Sequence, residues 1–191
     1  MVLIENKEHL TLEGLQQIVN IRSSMNLGLS DLQKAEFSNF KPVERKIINT
    51  QTIPDPQWIA RFVCGEGYFE VIITNSKSNK LGKQVRLRFS ITQHERDINL
   101  MSLILNYFGS GKIYKDPRGP TVYLRVEKFE VNNKIINPFF IKYKINGVKQ
   151  LDFQDWSLIS KLMVDGKHKT QEGLDLIHRL KSNMNQRRKF D

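Results

Sequence analysis

The chain has 191 residues, of which 39% are hydrophobic and 26% charged, and this suits one globular domain with extensions. Thirty Lys and Arg against twenty Asp and Glu give a net charge of +10, an excess that attracts polyanions such as nucleic acid. Cys64 is the only cysteine, so the composition excludes a disulfide framework and a cysteine zinc site. On charge alone, an ordinary soluble basic protein stays open as an alternative.

The N-terminal residues, MVLIENKEHLTLEG, are too acidic for a transit peptide and lack the apolar region of a signal peptide. No apolar run approaches the ~20 residues that a membrane span needs. We therefore expect no membrane association, and a protein that is cytoplasmic or made inside an organelle.

An internal repeat is visible at an offset of 159 residues (168 minus 9). Residues 9–26 read HLTLEGLQQIVNIRSSMN and residues 168–185 read HKTQEGLDLIHRLKSNMN. Each segment predicts an amphipathic helix opened by a threonine N-cap, Thr11 or Thr170. A chance match of two ordinary helices is the alternative. We interpret residues 1–30 as the tail helix of a truncated preceding repeat.

Residues 31–56 contain three prolines and little periodicity, which predicts a linker. Residues 57–191 then form one complete unit. The predicted elements, in chain order, are a helix at 57–66, strands at 68–75 and 83–92, a helix at 95–109 closed by Gly109, a short strand after it, a turn at 116–120, a strand at 121–129, and two or three helices after Pro138.

Alternating residues in the second and fourth predicted strands separate an apolar face from a polar one. The fold class is therefore α+β, with a mostly antiparallel four-stranded sheet and helices on one face. The opposite face is positive and partly aromatic, and such a face suits a duplex and favours nucleic-acid binding over an ordinary solvated surface. The residues predicted to bind DNA are Lys83, Arg86, Arg88, Thr92, Tyr123 and Arg125.

The helix-to-strand junction carries an isolated acid, Glu66, between Gly65 and Gly67. On the residues alone, a functional carboxylate and an acid in a simple turn are equally good interpretations.

Several segments together resemble the LAGLIDADG homing endonucleases. They are WIARFVCGEGYFEV at the junction, FSITQHERDINLM, INGVKQLDFQDW, and the EGL…MN tails of the two repeated helices. The chain is similar to the C-terminal half of a two-motif member of the fungal mitochondrial type. The resemblance implies an αββαββα unit that works in pairs, with two sheets forming a saddle over the DNA major groove.

The resemblance also implies roles for single residues. Glu66, with Gly65, would bind Mg²⁺ or another divalent cation, an ion that prefers oxygen ligands. Lys149 matches a lysine near the scissile phosphate, and Gln93 a polar position in the water network of the active site. Gly65 and Gly67 are expected to let the backbone approach metal and phosphate. The implied function is site-specific cleavage of double-stranded DNA by hydrolysis of phosphodiester bonds.

Two features depart from the family pattern. The pairing helix would use Arg61, Phe62 and Gly65, and Arg61 replaces the usual glycine; Cys64 replaces a residue that is often acidic or small. The body of the preceding repeat is also missing, so activity would need a homodimer or a separately encoded N-terminal half.

Three alternatives therefore stay open beside cleavage: a DNA-binding protein that no longer cuts, a group I intron RNA maturase that binds intron RNA, and an inactive truncated reading frame. The resemblance places the protein in the mitochondrion, encoded there and without a targeting peptide. If it is not made there, it is cytoplasmic.

Overall fold

A computed structural model of the protein describes residues 2–25, 27–44, 52–53 and 55–188, except for the side chain at position 187. The chain divides into two compact units, Met1–Asn49 and Thr50–Asp191. No helix in the described part has the length and apolar character that a membrane crossing requires.

The first unit contains helices α1 (Val2–Glu5), α2 (Leu12–Ser23) and α3 (Asp31–Glu36). The predicted helix with a Thr11 N-cap is confirmed as α2, because the Thr11 hydroxyl accepts from the Gly14 N–H at 3.0 Å. The structure places helix α3 in a segment that the sequence predicts to be linker. Ser30 and Gln33 cap the N-terminus of this helix reciprocally, and such a cap forms without the apolar periodicity by which the other helices are predicted. The predicted linker residues 45–51 and 54 lie outside the described residues.

The second unit carries a four-stranded sheet in the order β1-β2-β4-β3, with every pair antiparallel, and this confirms the predicted fold class. Its elements are α4 (Pro56–Glu66), β1 (Gly67–Asn75), β2 (Lys83–His94), α5 (Ile98–Phe108), β3 (Lys112–Lys115), β4 (Thr121–Val126), α6 (Phe129–Val131), α7 (Asn137–Lys142), α8 (Val148–Val164) and α9 (Gln171–Ser182).

The core lies between the inner face of the sheet and the helices. The ring of Phe69 on β1 is at its centre, with the rings of Phe89, Phe140, Phe153 and Trp156 at centroid distances of 5.3 to 5.5 Å. Burial of each such side chain contributes about 1.5–3 kcal/mol. The Trp156 indole also donates to the Glu70 carbonyl at 3.3 Å. Because Trp156 belongs to α8, this packing fixes α8 against β1.

Helix α4 begins where the sequence predicts. The Asp55 side chain accepts from the Gln57 N–H, and Pro56 occupies the first helical position. The helix ends directly at β1 because Gly67 lacks a side chain: a Cβ there would lie 2.4 Å from Val63 Cγ1. The turn from helix to strand is therefore as short as the backbone allows.

The region between β4 and α7 differs from the prediction. Strand β4 ends at Val126, and helical residues begin at Phe129 and continue through a π-helical turn, Asn132–Ile136, into α7. The helices thus begin before Pro138. The buried Asn132 amide explains the early start, because it donates to the Leu87 carbonyl at 2.9 Å and the Val126 carbonyl at 3.2 Å. These two bonds tie the helix to the sheet.

Candidate nucleic-acid interface

The outer face of the sheet collects most of the residues that the sequence predicts to bind DNA. The register pairs Thr92 with Tyr123 and Ser90 with Arg125, so β2 and β4 present these side chains on one surface. Arg86 lies on the same face of β2 and is exposed. In the described part of the chain, no ion pair engages Arg86. Its guanidinium is available to a phosphate or a guanine edge.

Lys83 does not belong to this row. Lys83 is the first residue of β2 and lies two residues before the buried Val85, so both belong to the inner face of the strand. Its ammonium donates to the Asn75 Oδ1 across the hairpin at 2.7 Å.

Arg88 lies on the outer face, but two carboxylates hold it. Its guanidinium is 2.9 Å from Glu70 Oε2 and 2.6 Å from Glu127 Oε1. The sequence predicts a positive outer face, and two acidic side chains offset that charge at Arg88. Each partner comes from a different segment, β1 and the residue after β4, so the alternation within β2 could not reveal them. Arg88 adds little net positive charge to the face.

The β3–β4 hairpin carries a cluster that the sequence did not predict. The Arg125 guanidinium lies 4.7 Å from the centroid of the Tyr123 ring and 5.3 Å from that of Tyr114. The Tyr123 hydroxyl donates to Asp116 at 2.8 Å, and the Arg118 guanidinium donates to the same carboxylate. The hairpin therefore presents two arginines in fixed positions.

Hydrogen bonding explains the ionisation of this cluster. The bonds from Arg118 and then Tyr123 hold the pKa of the Asp116 carboxyl well below its usual range. The same carboxylate raises the pKa of the Tyr123 hydroxyl, which stays a donor at neutral pH. The Asp-Pro-Arg-Gly sequence marks a turn in which the Asp116 side chain accepts from the Arg118 N–H, and this signal could have revealed the cluster.

The C-terminal end of α4 carries one predicted site residue, and a second one contacts the residue that follows it. Glu66 is exposed at the last position of the helix. The Lys149 ammonium, from the first turn of α8, donates to the carbonyl of the next residue, Gly67, at 2.5 Å. Cys64 supports this arrangement, because its sulfur accepts from the Asn146 N–H at 3.3 Å and so holds the loop before α8 against α4.

Gln93 is not part of this group. Its side chain folds back on its own strand, where Oε1 accepts from the His94 N–H at 2.9 Å. Among the described residues, no hydrogen bond joins it to Glu66 or Lys149. It also shares the alternation of Ile91, whose side chain is buried.

The two glycines beside Glu66 play different parts. Packing inside the chain requires a glycine at position 67, because an added Cβ would collide with Val63. This packing explains Gly67 without the expected approach of the backbone to metal or phosphate. A Cβ added at Gly65 would meet nothing within 4 Å. Gly65 lies on one face of α4 with three other residues. Phe62 and Arg61 lie one turn earlier in the helix, and Trp58 lies two turns earlier.

A network of charges at the start of α8 was also missed. Arg188 donates to Asp152 at 3.0 Å and to Asp155 at 2.6 Å, and the Asn185 N–H donates to Asp152 at 2.9 Å. Burial lowers the pKa of the Arg188 guanidinium, but the bonds to Asp155 and Asp152 outweigh it and raise the pKa. The network ties the C-terminal residues to the helix that carries Lys149.

The end of α4 offers a divalent cation oxygen ligands only. The last carbonyls of a helix lack intrahelical partners and carry partial negative charge, so they add to the Glu66 carboxylate. Mg²⁺ and Ca²⁺ favour such ligands. Among the described residues, no three His, Cys, Asp or Glu side chains come together to enclose a metal ion. The junction therefore fits a cation that takes its other ligands from water, phosphate or a second carboxylate.

Comparison with known proteins identifies the class. Residues 59–160 match the model of the LAGLIDADG endonucleases. The chain belongs to the LAGLIDADG endonuclease family.

Three individual proteins are close to it. A "probable intron-encoded endonuclease 3" of Neurospora crassa is 49% identical over 92% of this chain, which spans 33% of that protein. The I-SmaMI homing endonuclease bound to cleaved DNA is 46% identical with a TM-score of 0.92, over 97% of this chain and 62% of that one. I-LtrWI bound to target DNA is 39% identical with a TM-score of 0.90, over 97% and 62%. The chain thus spans about a third of the curated relative and under two thirds of the solved structures.

I-SmaMI has also been solved bound to an uncleaved DNA target in the presence of calcium ions. That structure matches with a TM-score of 0.91 over 96% of this chain.

Proposed function

We propose that this chain is one catalytic unit of a site-specific endonuclease that hydrolyses both strands of a DNA duplex. The observation that carries the proposal is the bond from the Lys149 ammonium to the carbonyl of Gly67, directly after the exposed Glu66, at the junction of α4 with a sheet whose outer face is cationic. The DNA-bound states of I-SmaMI and I-LtrWI support it.

The outer face of β2, β3 and β4 binds the duplex in this proposal. Arg86 and Arg125 supply the charge that phosphates attract, and either guanidinium can read a guanine edge in the major groove. The rings of Tyr114 and Tyr123 hold Arg125 in place, which reduces the conformational entropy lost on binding. Thr92 adds a hydroxyl beside Tyr123. Arg88 stabilises the sheet instead, through its two acidic partners.

Hydrolysis takes place at the end of α4. Glu66 and the Gly65 carbonyl would hold a divalent cation, Mg²⁺ by its preference for oxygen ligands. When bound, such an ion activates water and stabilises the leaving oxygen of the phosphodiester. Lys149 holds a positive charge beside this position and stabilises negative charge that develops on the phosphate. Gln93 can reach the same water only if its side chain leaves the bond to the His94 N–H.

Cleavage of two strands needs a second carboxylate, which one unit does not supply. The open space at Gly65 supports pairing of α4 with another helix, because nothing in its own surroundings requires a glycine there. A glycine inside a helix costs about 1 kcal/mol relative to alanine, so a role outside the unit explains its presence. The identical caps of α2 and α9 support the view that residues 1–30 end a preceding unit of the same kind.

The names of the relatives support an origin inside an intron, and we place the protein in the mitochondrion by its resemblance to the fungal organellar type. Binding without cleavage, to DNA or to intron RNA, is the second candidate. Arg61 favours it where no partner residue offsets the charge, because an uncompensated bulky charge on the pairing face hinders the assembly of two active-site helices.

The decisive variant is Glu66→Gln, which removes the charge and keeps the shape. Binding to a randomised duplex library and Mg²⁺-dependent nicking of one strand of the selected sequences are measured at fixed salt, because one unit supplies one carboxylate. We expect cleavage to fall at least about a thousandfold, since a metal ligand acts in the transition state. Duplex affinity should change by less than about twofold, because an acid contributes little attraction to phosphate.

Glu172→Gln is the matched control, because Glu172 is exposed on α9 and its loss changes the charge equally. It should leave both binding and cleavage unchanged. Cleavage that survives Glu66→Gln contradicts the role of Glu66. A preference for structured RNA over duplex DNA in competition at the same salt concentration favours the second candidate.

A further inference from the structure

One face of α4 carries two stacked aromatic rings, an exposed arginine and a glycine with open space beside it. The Trp58 and Phe62 rings stack with their planes 10° apart and their centroids 5.1 Å apart, although Trp58 is 36% exposed. Arg61 is exposed beside them, and Gly65 leaves open space one turn further on. We call these four residues the α4 stripe. Phe62 is half-buried against the core, and the exposed Trp58 ring stacked on it extends this apolar surface outward, as is typical of a contact surface for another protein segment.

We propose that the α4 stripe selects a non-identical partner unit, whose helix carries an acidic side chain opposite Arg61, and that it rejects a second copy of this chain. The inference rests on the proposed function, since it names the partner of that site. It distinguishes two arrangements that pairing alone leaves open, a homodimer and a pair of different units.

The required geometry brings equal positions together. The family resemblance implies that two such helices pack side by side, and when they point in the same direction their two carboxylates lie at the same end of the pair, where one duplex can meet both. In a twofold-symmetric pair each residue then faces its own copy at the same height. Gly65 allows the closest approach, and Arg61 lies about 6 Å further back along the helix axis. Two copies of this chain would therefore place Arg61 against Arg61.

Charge decides between the two partners. Within the described residues, no ion pair or hydrogen bond engages the Arg61 guanidinium, so none of those residues compensates its charge at a contact. A like charge beside it, shielded from water by the Trp58 and Phe62 rings, opposes association. A carboxylate at the same place can form a two-pronged hydrogen-bonded pair with it. Two copies would also bring together two chains that each carry a net charge of +10.

Sedimentation of the full chain at micromolar concentration and 0.15 M salt tests the inference. We expect the unaltered chain to sediment as a monomer of 22.4 kDa. Arg61→Gly should self-associate at least about tenfold more tightly, because it removes the like charge and restores close approach. Arg61→Glu should stay monomeric alone but form a dimer when mixed with the unaltered chain, and higher salt should weaken that dimer.

Arg179→Glu is the matched control, since Arg179 is exposed on α9 and its reversal changes the net charge by the same two units. Its mixture with the unaltered chain should remain monomeric. The inference is overturned by an unaltered chain that dimerises no less tightly than Arg61→Gly. It is equally overturned if the Arg61→Glu mixture associates no better than the Arg179→Glu mixture.

Duplex binding by the same samples separates this inference from the proposed function. If the chain prefers duplex DNA but the Arg61 variants pair no differently, only the partner selection is wrong. If the variants pair as expected but the chain shows no preference for duplex DNA, the proposed function is wrong and the pairing surface stands.

Discussion

Helices α2 and α9 have the same local structure in very different surroundings. A 3₁₀ turn precedes each one, and a threonine hydroxyl then accepts from a glycine N–H, at 3.0 Å in α2 and 3.1 Å in α9. A Cβ on Gly14 would lie 1.9 Å from the Glu8 carbonyl oxygen, and one on Gly173 would lie 2.0 Å from that of Lys167. The contacts that define each helix start therefore lie within seven residues of sequence, from Glu8 to Gly14 and from Lys167 to Gly173.

Burial separates the two copies. Leu174 on α9 is 5% exposed, whereas Leu15 at the equivalent position of α2 is 39% exposed. Met184, which follows α9, is 3% exposed, whereas Met25, which follows α2, is 49% exposed. Helix α9 packs on α8 above a sheet, and the first unit has no strand among its described residues. Local sequence thus forms a helix, but a layer beneath it is what buries the apolar face.

The largest difference should come from the paired leucines. Leu174→Ala should lower the free energy of unfolding by about 2–5 kcal/mol, because it leaves a cavity in the core. Leu15→Ala should cost the first unit less than about 1 kcal/mol. Tryptophan fluorescence during denaturation measures the first variant, since Trp58 and Trp156 both lie in the second unit, and far-UV circular dichroism measures the second variant. Equal losses of stability in the two variants would contradict the comparison.

The caps should respond alike. Thr11→Ala and Thr170→Ala each remove the acceptor of one glycine N–H and should each destabilise the helix start by about 1 kcal/mol. Amide hydrogen exchange at Gly14 and Gly173 measures this directly, and serine at either position should retain protection. Only Thr170→Ala should also move the fluorescence transition. Exchange that accelerates at one glycine and not at the other would mean that the two caps are not equivalent.

The smallest effect concerns the histidines of the two 3₁₀ turns. Burial, and then the nearby Lys169, lower the pKa of His168 below its ordinary value of 6.5. The unfolded chain therefore binds the proton more readily than the folded one. Stability from the neutral ring is complete above pH 6.5 and is lost as the pH falls from there through the lower folded pKa.

Replacing this ring should remove that loss. His168→Gln should flatten the fluorescence midpoint between pH 7 and pH 5, relative to the unaltered chain. His9→Gln, at the equivalent position of the first unit, should leave the pH dependence of that midpoint in place. An unchanged pH dependence in His168→Gln would assign the loss to another group.

Strand alternation predicted the two faces of the sheet well, because successive side chains point to opposite sides. Arg86, Thr92, Tyr123 and Arg125 lie on one surface for that reason. The fate of Arg88 was not predictable in this way. Its acidic partners lie 18 and 39 residues away in the chain, and only the strand order brings them to it.

The junction at Glu66 shows the same limit. A glycine, an acid and a glycine mark the turn, but the bond from Lys149 to Gly67 spans 82 residues and depends on α8 packing against β1. Gln93 was expected near this group, yet its side chain bonds to its own strand.

The sequence by itself determined the caps, the strand faces and the tight turn at Gly67, because each depends on residues close together in the chain. It also determined the excess of positive charge, which depends on composition alone. The tertiary structure decided which charges are compensated, which apolar helix is buried, and that Lys149 binds the carbonyl of Gly67, the residue after Glu66. Those outcomes depend on contacts between distant segments, which form only when the sheet and helices pack against one another.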